Sequence, residues 1–214
     1  VIVRGIPVGP LEENAWLLVD EASRDAVYVD PGAEPERLLR ELDAVQGRLS
    51  AIWLTHAHFD HVGGIAGLRA RHPEVPIFLH PLDRTLYRLA GQSAENWGIP
   101  FEAPPPPDRD LAEGDVVHVG AYAFVVRHVP GHAPGHVMFV GDGQVFSGDL
   151  LFAGSIGRTD FPLCDPAAMT RSLARIAALP PGTAVHPGHG PSTTVGRELE
   201  TNPFLNGMAR VVGA

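Results

Sequence analysis

The 214-residue chain contains no lysine; its 16 basic residues are all arginine. That absence excludes Schiff-base chemistry and any lysine clamp on a substrate. A single cysteine, Cys164, rules out an internal disulfide and leads us to expect a reducing, cytoplasmic setting. It follows Pro162-Leu163, away from the histidine-rich segments, and reads as a packing residue. No apolar run approaches the roughly 20 residues needed to span a bilayer. No signal-peptide pattern opens the chain, which starts in a strand-like segment at Val1. Positive charge is scarce as well. Against 25 acidic residues the formal net charge is −9, which argues against nucleic acid or an anionic membrane as partner, since both select basic stripes.

Histidine is plentiful, with 11 copies, alongside 24 glycines and 21 prolines. Four candidates crowd into Thr55-His-Ala-His-Phe-Asp-His61, at the end of an apolar run over residues 49–55 that reads as a buried strand. On an extended chain residues two apart point the same way, so His56 and His58 can offer two imidazoles to one metal. Asp60 and His61 follow where the chain leaves the strand and can turn toward a second ion. Three later segments extend the pattern: Pro130-Gly-His132, Ser147-Gly-Asp149 and Pro187-Gly-His189. Each places its ligand-type side chain just past a short apolar run, where the loops of a layered α/β domain gather.

The order of these four segments resembles the metallo-β-lactamase superfamily, most closely its glyoxalase II-like hydrolases and their shorter bacterial members. Gly154-Ser-Ile-Gly-Arg-Thr-Asp-Phe161 and Thr201-Asn-Pro-Phe-Leu205 are similar to the same branch, so the resemblance runs from residue 14 to residue 205. It implies that His56, His58 and His132 hold one metal, that Asp60, His61 and His189 hold another, and that Asp149 bridges them. It further implies a hydrolase of thioesters such as S-lactoylglutathione, with a small-molecule substrate, and Arg158 as the candidate contact for an anionic part of it. A salt bridge from Arg158 to Asp160 or Asp165 is the alternative. The same scaffold serves persulfide dioxygenases with one iron, lactonases and β-lactamases, and these are the alternative activities; a non-catalytic metal-binding module ranks last. About two dozen residues follow His189, too few for the C-terminal helical region that binds glutathione in full-length glyoxalase II.

The residue types suit that chemistry. Five imidazoles and two carboxylates offset only part of the charge of two divalent ions, and the remainder favours a bridging hydroxide as nucleophile. With Asp60 as ligand and hydrogen-bond acceptor, that nucleophile would be oriented and its proton taken up. Nitrogen and oxygen donors without thiolate suit zinc first, with iron or manganese also accepted. His136 reads as structural, His80 as the end of a strand, and Asp30 as either a turn residue or a support for the ligands.

The expected architecture is a single α/β domain over residues 1–214, a four-layer αβ/βα sandwich of two mixed β-sheets flanked by helices. Strands are expected at 1–4, 14–19, 26–29, 49–55, 76–79, 116–119, 122–129, 136–140 and 145–147. Helices are expected at 35–45, 64–71 and 81–89, and at 165–178 with Asp165 as N-cap and Pro166 first inside. Residues 98–108, with four consecutive prolines, should be an irregular connection.

Overall fold

The computed structural model describes residues 1–213. Strands that bury both faces decide the architecture. In β2 (Glu13–Val19), Ala15, Leu17 and Val19 face one apolar cluster while Trp16 and Leu18 face another. The period of two along a strand thus splits one sequence between two cores, which requires a layer on each side of the sheet.

The first sheet follows chain order. β1 (Ile2–Val8), β2 and β3 (Asp25–Val29) form an antiparallel meander. β4 (Arg48–Trp53), β5 (Ile77–Leu79) and β6 (Arg109–Asp110) then add in parallel. Parallel neighbours need crossovers, and helices supply them: α1 (Pro35–Ala44) between β3 and β4, α2 (Phe59–Val62) and α3 (Ile65–Arg71) between β4 and β5, α4 (Arg84–Asn96) between β5 and β6. Leu38, Leu42, Ile65, Leu68, Tyr87 and Ala90 pack from these helices onto Leu17, Tyr28 and Ile52.

The second sheet contains β7 (Val116–Val119), β8 (Tyr122–His128), β9 (Val137–Gly141) and β10 (Gln144–Gly148) as antiparallel neighbours. A small hairpin of β11 (Leu151–Phe152) and β12 (Ser155–Ile156) follows, then α5 (Pro166–Ala177). β13 (Ala184–Pro187) pairs in parallel with β10, and β14 (Thr193–Thr194) closes that edge before α6 (Val195–Thr201). Met169, Leu173, Ile176 and Val195 cover its outer face against Met138, Val145 and Val185. Trp53, Phe124, Phe139 and Phe146 fill the space between the two sheets. The result is the four-layer sandwich with mixed sheets. Among the described residues, no helix is long and apolar enough to cross a membrane.

Some elements differ from the sequence-based expectation. The strand expected through Thr55 ends at Trp53, so His56 and His58 lie on the loop beyond it and not on a strand face. The helix expected at 81–89 starts as a 3₁₀ turn (Pro81–Asp83) and runs on to Asn96. The seven-residue α6, the four-residue α2 and the two-residue strands β6, β11, β12 and β14 were not expected. They are too short to show a period and are held by tertiary contacts.

Trp53 is fully buried, with its ring 5.8 Å from Phe124 and 5.3 Å from Phe139, so truncation leaves a large cavity between the sheets. Trp53→Ala should destabilise the chain by about 3–5 kcal/mol in urea unfolding. Leu89→Ala, at a half-exposed position on α4, should cost under about 0.5 kcal/mol.

Candidate metal centre

Four chain segments reach one edge of the sandwich where their strands end. The β4–α2 loop carries His56 and His58, α2 carries Asp60 and His61, and the β8–β9 loop carries His132. Asp149 follows β10 and His189 follows β13. The segments meet closely. At Gly148 the backbone takes φ +48°, and a Cβ there would lie 2.3 Å from Thr55 Oγ1 and 2.7 Å from His136 Nε2. Only glycine allows β10 to deliver Asp149 past the Thr55 loop.

Two groups of donors result. His58 Nδ1 lies 3.1 Å from His56 Nε2 and 2.9 Å from His132 Nε2. Nitrogens on one tetrahedral ion with bonds of about 2.0–2.1 Å would stand about 3.3 Å apart, so the spacing suits a shared cation. In the second group, His189 Nε2 is 3.3 Å from Asp60 Oδ2, and His61 Nε2 is 4.0 Å from the same oxygen. Asp149 reaches both groups, with Oδ1 3.5 Å from His61 Nε2 and Oδ2 3.4 Å from His132 Nε2. His56, His58 and His132 could hold one ion, and Asp60, His61 and His189 another.

Hydrogen bonds on the outer side of the rings decide which nitrogen carries the proton. His132 Nδ1 donates to the Arg158 carbonyl at 2.7 Å, and His189 Nδ1 donates to the Leu11 carbonyl at 3.1 Å. His61 Nδ1 donates to Asp30 Oδ2 at 3.1 Å. The Thr55 hydroxyl donates to Asp30 Oδ2, which leaves its oxygen to accept from His56 Nδ1 at 3.1 Å. In each of these four rings the remaining nitrogen faces inward, where it could offer a lone pair to an ion. Two buried atoms with no hydrogen-bond partner, His61 Nε2 and Asp149 Oδ1, are a facing pair at the centre. Converging ring nitrogens and an orphaned carboxylate oxygen fit a divalent cation.

The two groups differ in charge. Burial, and then the neighbouring rings of His61, His58 and His132, hold His56 well below the usual imidazole range. Burial and then His132 push His58 down to about 3, and burial also lowers His132. For His61 burial acts the other way from the net result: Asp149 and Asp60 overcome it and raise the ring well above its ordinary value. His189 is raised too, against burial, by its hydrogen bond to Asp60. Asp149 is pulled far below the carboxylate range, despite burial, by His61, His132 and His189.

The remaining sequence candidates fall into place around this centre. Asp30, in a left-handed conformation with φ +51°, supports the ligands through Thr55 and His61. His136 is buried, donates Nε2–H to the Ser147 carbonyl and packs its ring 4.9 Å from that of His56. His80 caps the 3₁₀ turn by accepting from the Leu82 N–H. The Arg158 side chain lies exposed at the rim, bidentate to Asp160 at 2.8 and 2.7 Å and 4.1 Å above the Phe161 ring. Cys164 corrects the sequence reading: its thiol lies 3.0 Å from the His132 carbonyl, beside a ligand loop. The intervening chain folds back after Phe161, which sequence distance does not reveal. Sequence reasoning also missed Glu13, buried with its Oε1 3.7 Å from His61 Nδ1, and Asn14, whose amide donates to the Pro187 and Gly190 carbonyls around His189. Both sit in a strand whose apolar run gave no hint of them.

With fold and centre in view, the comparisons agree. The sequence matches the Metallo-beta-lactamase superfamily over residues 8–189, and the chain belongs to that superfamily. It is 36 % identical over 206 residues to the hydroxyacylglutathione hydrolase GloC of Haemophilus influenzae, covering 94 % of this chain and 96 % of GloC. Its structure is similar to that of TTHA1623 in a di-iron-bound form, with TM-score 0.88 and 51 % identity over 95 % of this chain and all of that one. It is also similar to the BLEG-1 B3 metallo-beta-lactamase, with TM-score 0.88 and 38 % identity, covering 95 % of this chain and 99 % of BLEG-1. The chain is thus a metallo-hydrolase of this superfamily with His and Asp groups suited to divalent metal.

The charge asymmetry predicts unequal response to acid. A raised imidazole holds its proton to higher pH, and proton and metal compete for the same lone pair. Metal at the His61–His189 end should therefore be lost first as pH falls, and metal at the His56–His58–His132 end only at lower pH. Metal content by equilibrium dialysis between about pH 5 and pH 8 should fall in two steps; simultaneous loss from both ends would contradict this.

Proposed function

We propose that the chain is a dinuclear metal-dependent thioester hydrolase of the glyoxalase II type, acting on substrates such as S-lactoylglutathione. The observation that carries the reading is the seven-residue His/Asp set whose donor atoms converge in two adjoining groups. His56, His58 and His132 would hold the first ion, Asp60, His61 and His189 the second, and Asp149 would bind both. Zinc and iron both suit nitrogen and oxygen donors without thiolate, and the di-iron form of TTHA1623 supports iron. Bound divalent ions would polarise the acyl carbonyl and bring a water's pKa toward neutrality.

The protein groups divide the remaining work. Asp60, held below the usual carboxylate range by His61 and His189 in spite of burial, is ionised and accepts a proton from the attacking water. His189, whose Nε2 lies 3.3 Å from Asp60 Oδ2, would hold the same ion and so help fix the orientation of that carboxylate. A thiolate leaves without needing a proton, since thiols have pKa values of about 8.5, which suits a centre whose neutral imidazoles are occupied as ligands. Arg158 supplies positive charge at the rim beside His132, with Asp160 offsetting part of it. The relationship to GloC supports glutathione thioesters. The likeness to BLEG-1 favours a second reading, hydrolysis of lactams or lactones at the same centre.

Hydrolysis of S-lactoylglutathione by protein of known metal content decides between them. Turnover abolished by chelation and restored by metal is expected; a metal-replete protein that opens lactones but leaves thioesters intact would overturn the thioesterase reading. Asp60→Asn should lower turnover by about 10²–10⁴-fold at matched metal content, and near-normal rates would refute its role.

A further inference from the structure

One buried carboxylate has no part in the centre as described so far. Asp83 ends the 3₁₀ turn Pro81–Asp83 and is fully buried. Its two oxygens accept backbone N–H groups from two different loops: Oδ2 from Ala57 at 3.1 Å and Oδ1 from Gly135 at 2.5 Å. Ala57 stands between His56 and His58. Gly135 stands between His132 and His136 in the β8–β9 loop. Among the described residues, no other side chain accepts N–H groups from both loops. Approach is tight on the Gly135 side, where a Cβ would lie 2.8 Å from Asp83 Oδ1 and 2.9 Å from its Cγ.

We propose that Asp83 is the positioning residue of the His56–His58–His132 triad: by tying the two loops to one carboxylate it sets the spacing of three imidazoles and so the affinity of that end for a divalent ion. The inference rests on the metal assignment above. Asp30 differs: it accepts from His61 Nδ1 at the opposite end and from the Thr55 N–H and hydroxyl, and through Thr55 it also bears on His56. The chemistry requires an acid at position 83, because both partners are donors. An asparagine offers one acceptor and turns its NH₂ toward the other N–H. Burial raises the Asp83 carboxyl to about 6 while both N–H groups pull it down.

The test is a titration of the metal-free 214-residue chain with ¹¹³Cd²⁺, followed by ¹¹³Cd NMR and by competition with a chromophoric chelator. Wild type should give two resonances, one from each end. Asp83→Asn should shift or broaden one of them and weaken that end by about 10–100-fold, leaving the other within about threefold. Asp30→Asn, which touches His61 directly and His56 through Thr55, should instead disturb both resonances. Gly135→Ala, which pushes against the Asp83 carboxyl without altering it, should reproduce the Asp83→Asn pattern and serves if that variant fails to fold. Unchanged affinity at both ends, or equal weakening of both, would overturn the proposal, the latter marking a merely structural role. A wild type that binds no ion would sink the metal assignment and the proposal together.

Discussion

The candidate centre depends on which nitrogen of each buried ring is tied to the protein and which is left facing inward. Imidazole has two tautomers, and a buried ring free to choose would donate as readily as accept. Here the choice is made from outside, by the Arg158 and Leu11 carbonyls, by Asp30, and by the Thr55 hydroxyl that Asp30 itself orients. Asp30 thus reaches two rings at once, His61 directly and His56 through Thr55. This makes the β3–β4 pairing part of the chemistry: Asp30 immediately follows β3, and its N–H donates to the Trp53 carbonyl at the end of β4. A sheet register and an imidazole tautomer are coupled by one residue.

The sandwich provides the second requirement, which is convergence from distant parts of the chain. β4 belongs to one sheet; β8, β10 and β13 belong to the other, and their C-terminal ends open on the same edge. Backbone links close the seam, with the Val137 N–H on the Thr55 carbonyl and the Asn14 N–H on the Gly188 carbonyl. The large aromatic residues between the sheets hold these ends at a fixed separation because a close-packed interior resists small displacements. Precision at the metal site therefore starts at Trp53 and Phe139, well away from any ligand.

Much of this was legible in the sequence, for reasons that also mark the boundary of such reading. The candidate ligands stand out because metal chemistry restricts residue type and because Pro/Gly turns after apolar runs are visible locally. The amphipathic α1 and α5 follow from periodicity and capping, with Asp165 accepting from the Ala168 N–H as its position before Pro166 suggests. What could not be read was the layer behind the ligands. Glu13, Asn14 and Asp83 act through backbone groups or buried neighbours dozens of residues away, and nothing in their local composition distinguishes them from turn or strand residues. Cys164 was misjudged for the same reason, since the return of the chain to His132 is a tertiary event.

The charge distribution ties folding to the ion. Glu13, Asp30, Asp60, Asp83 and Asp149 are all buried or nearly so, and among the described residues none of them pairs with an arginine. The arginines instead form exposed pairs such as Arg48–Asp25 and Arg84–Asp110, which contribute little to stability. Five carboxyl groups at one edge of a lysine-free chain thus depend on backbone N–H groups, protonated histidine or a metal for counter-charge. Burial already drives Glu13 well above the carboxylate range, against the pull of His61 and with the acids around it adding to the effect. Divalent ions at the two triads would relieve that repulsion and displace the proton from His61 in the same step. Metal binding and the stability of this edge are then two measures of one free energy.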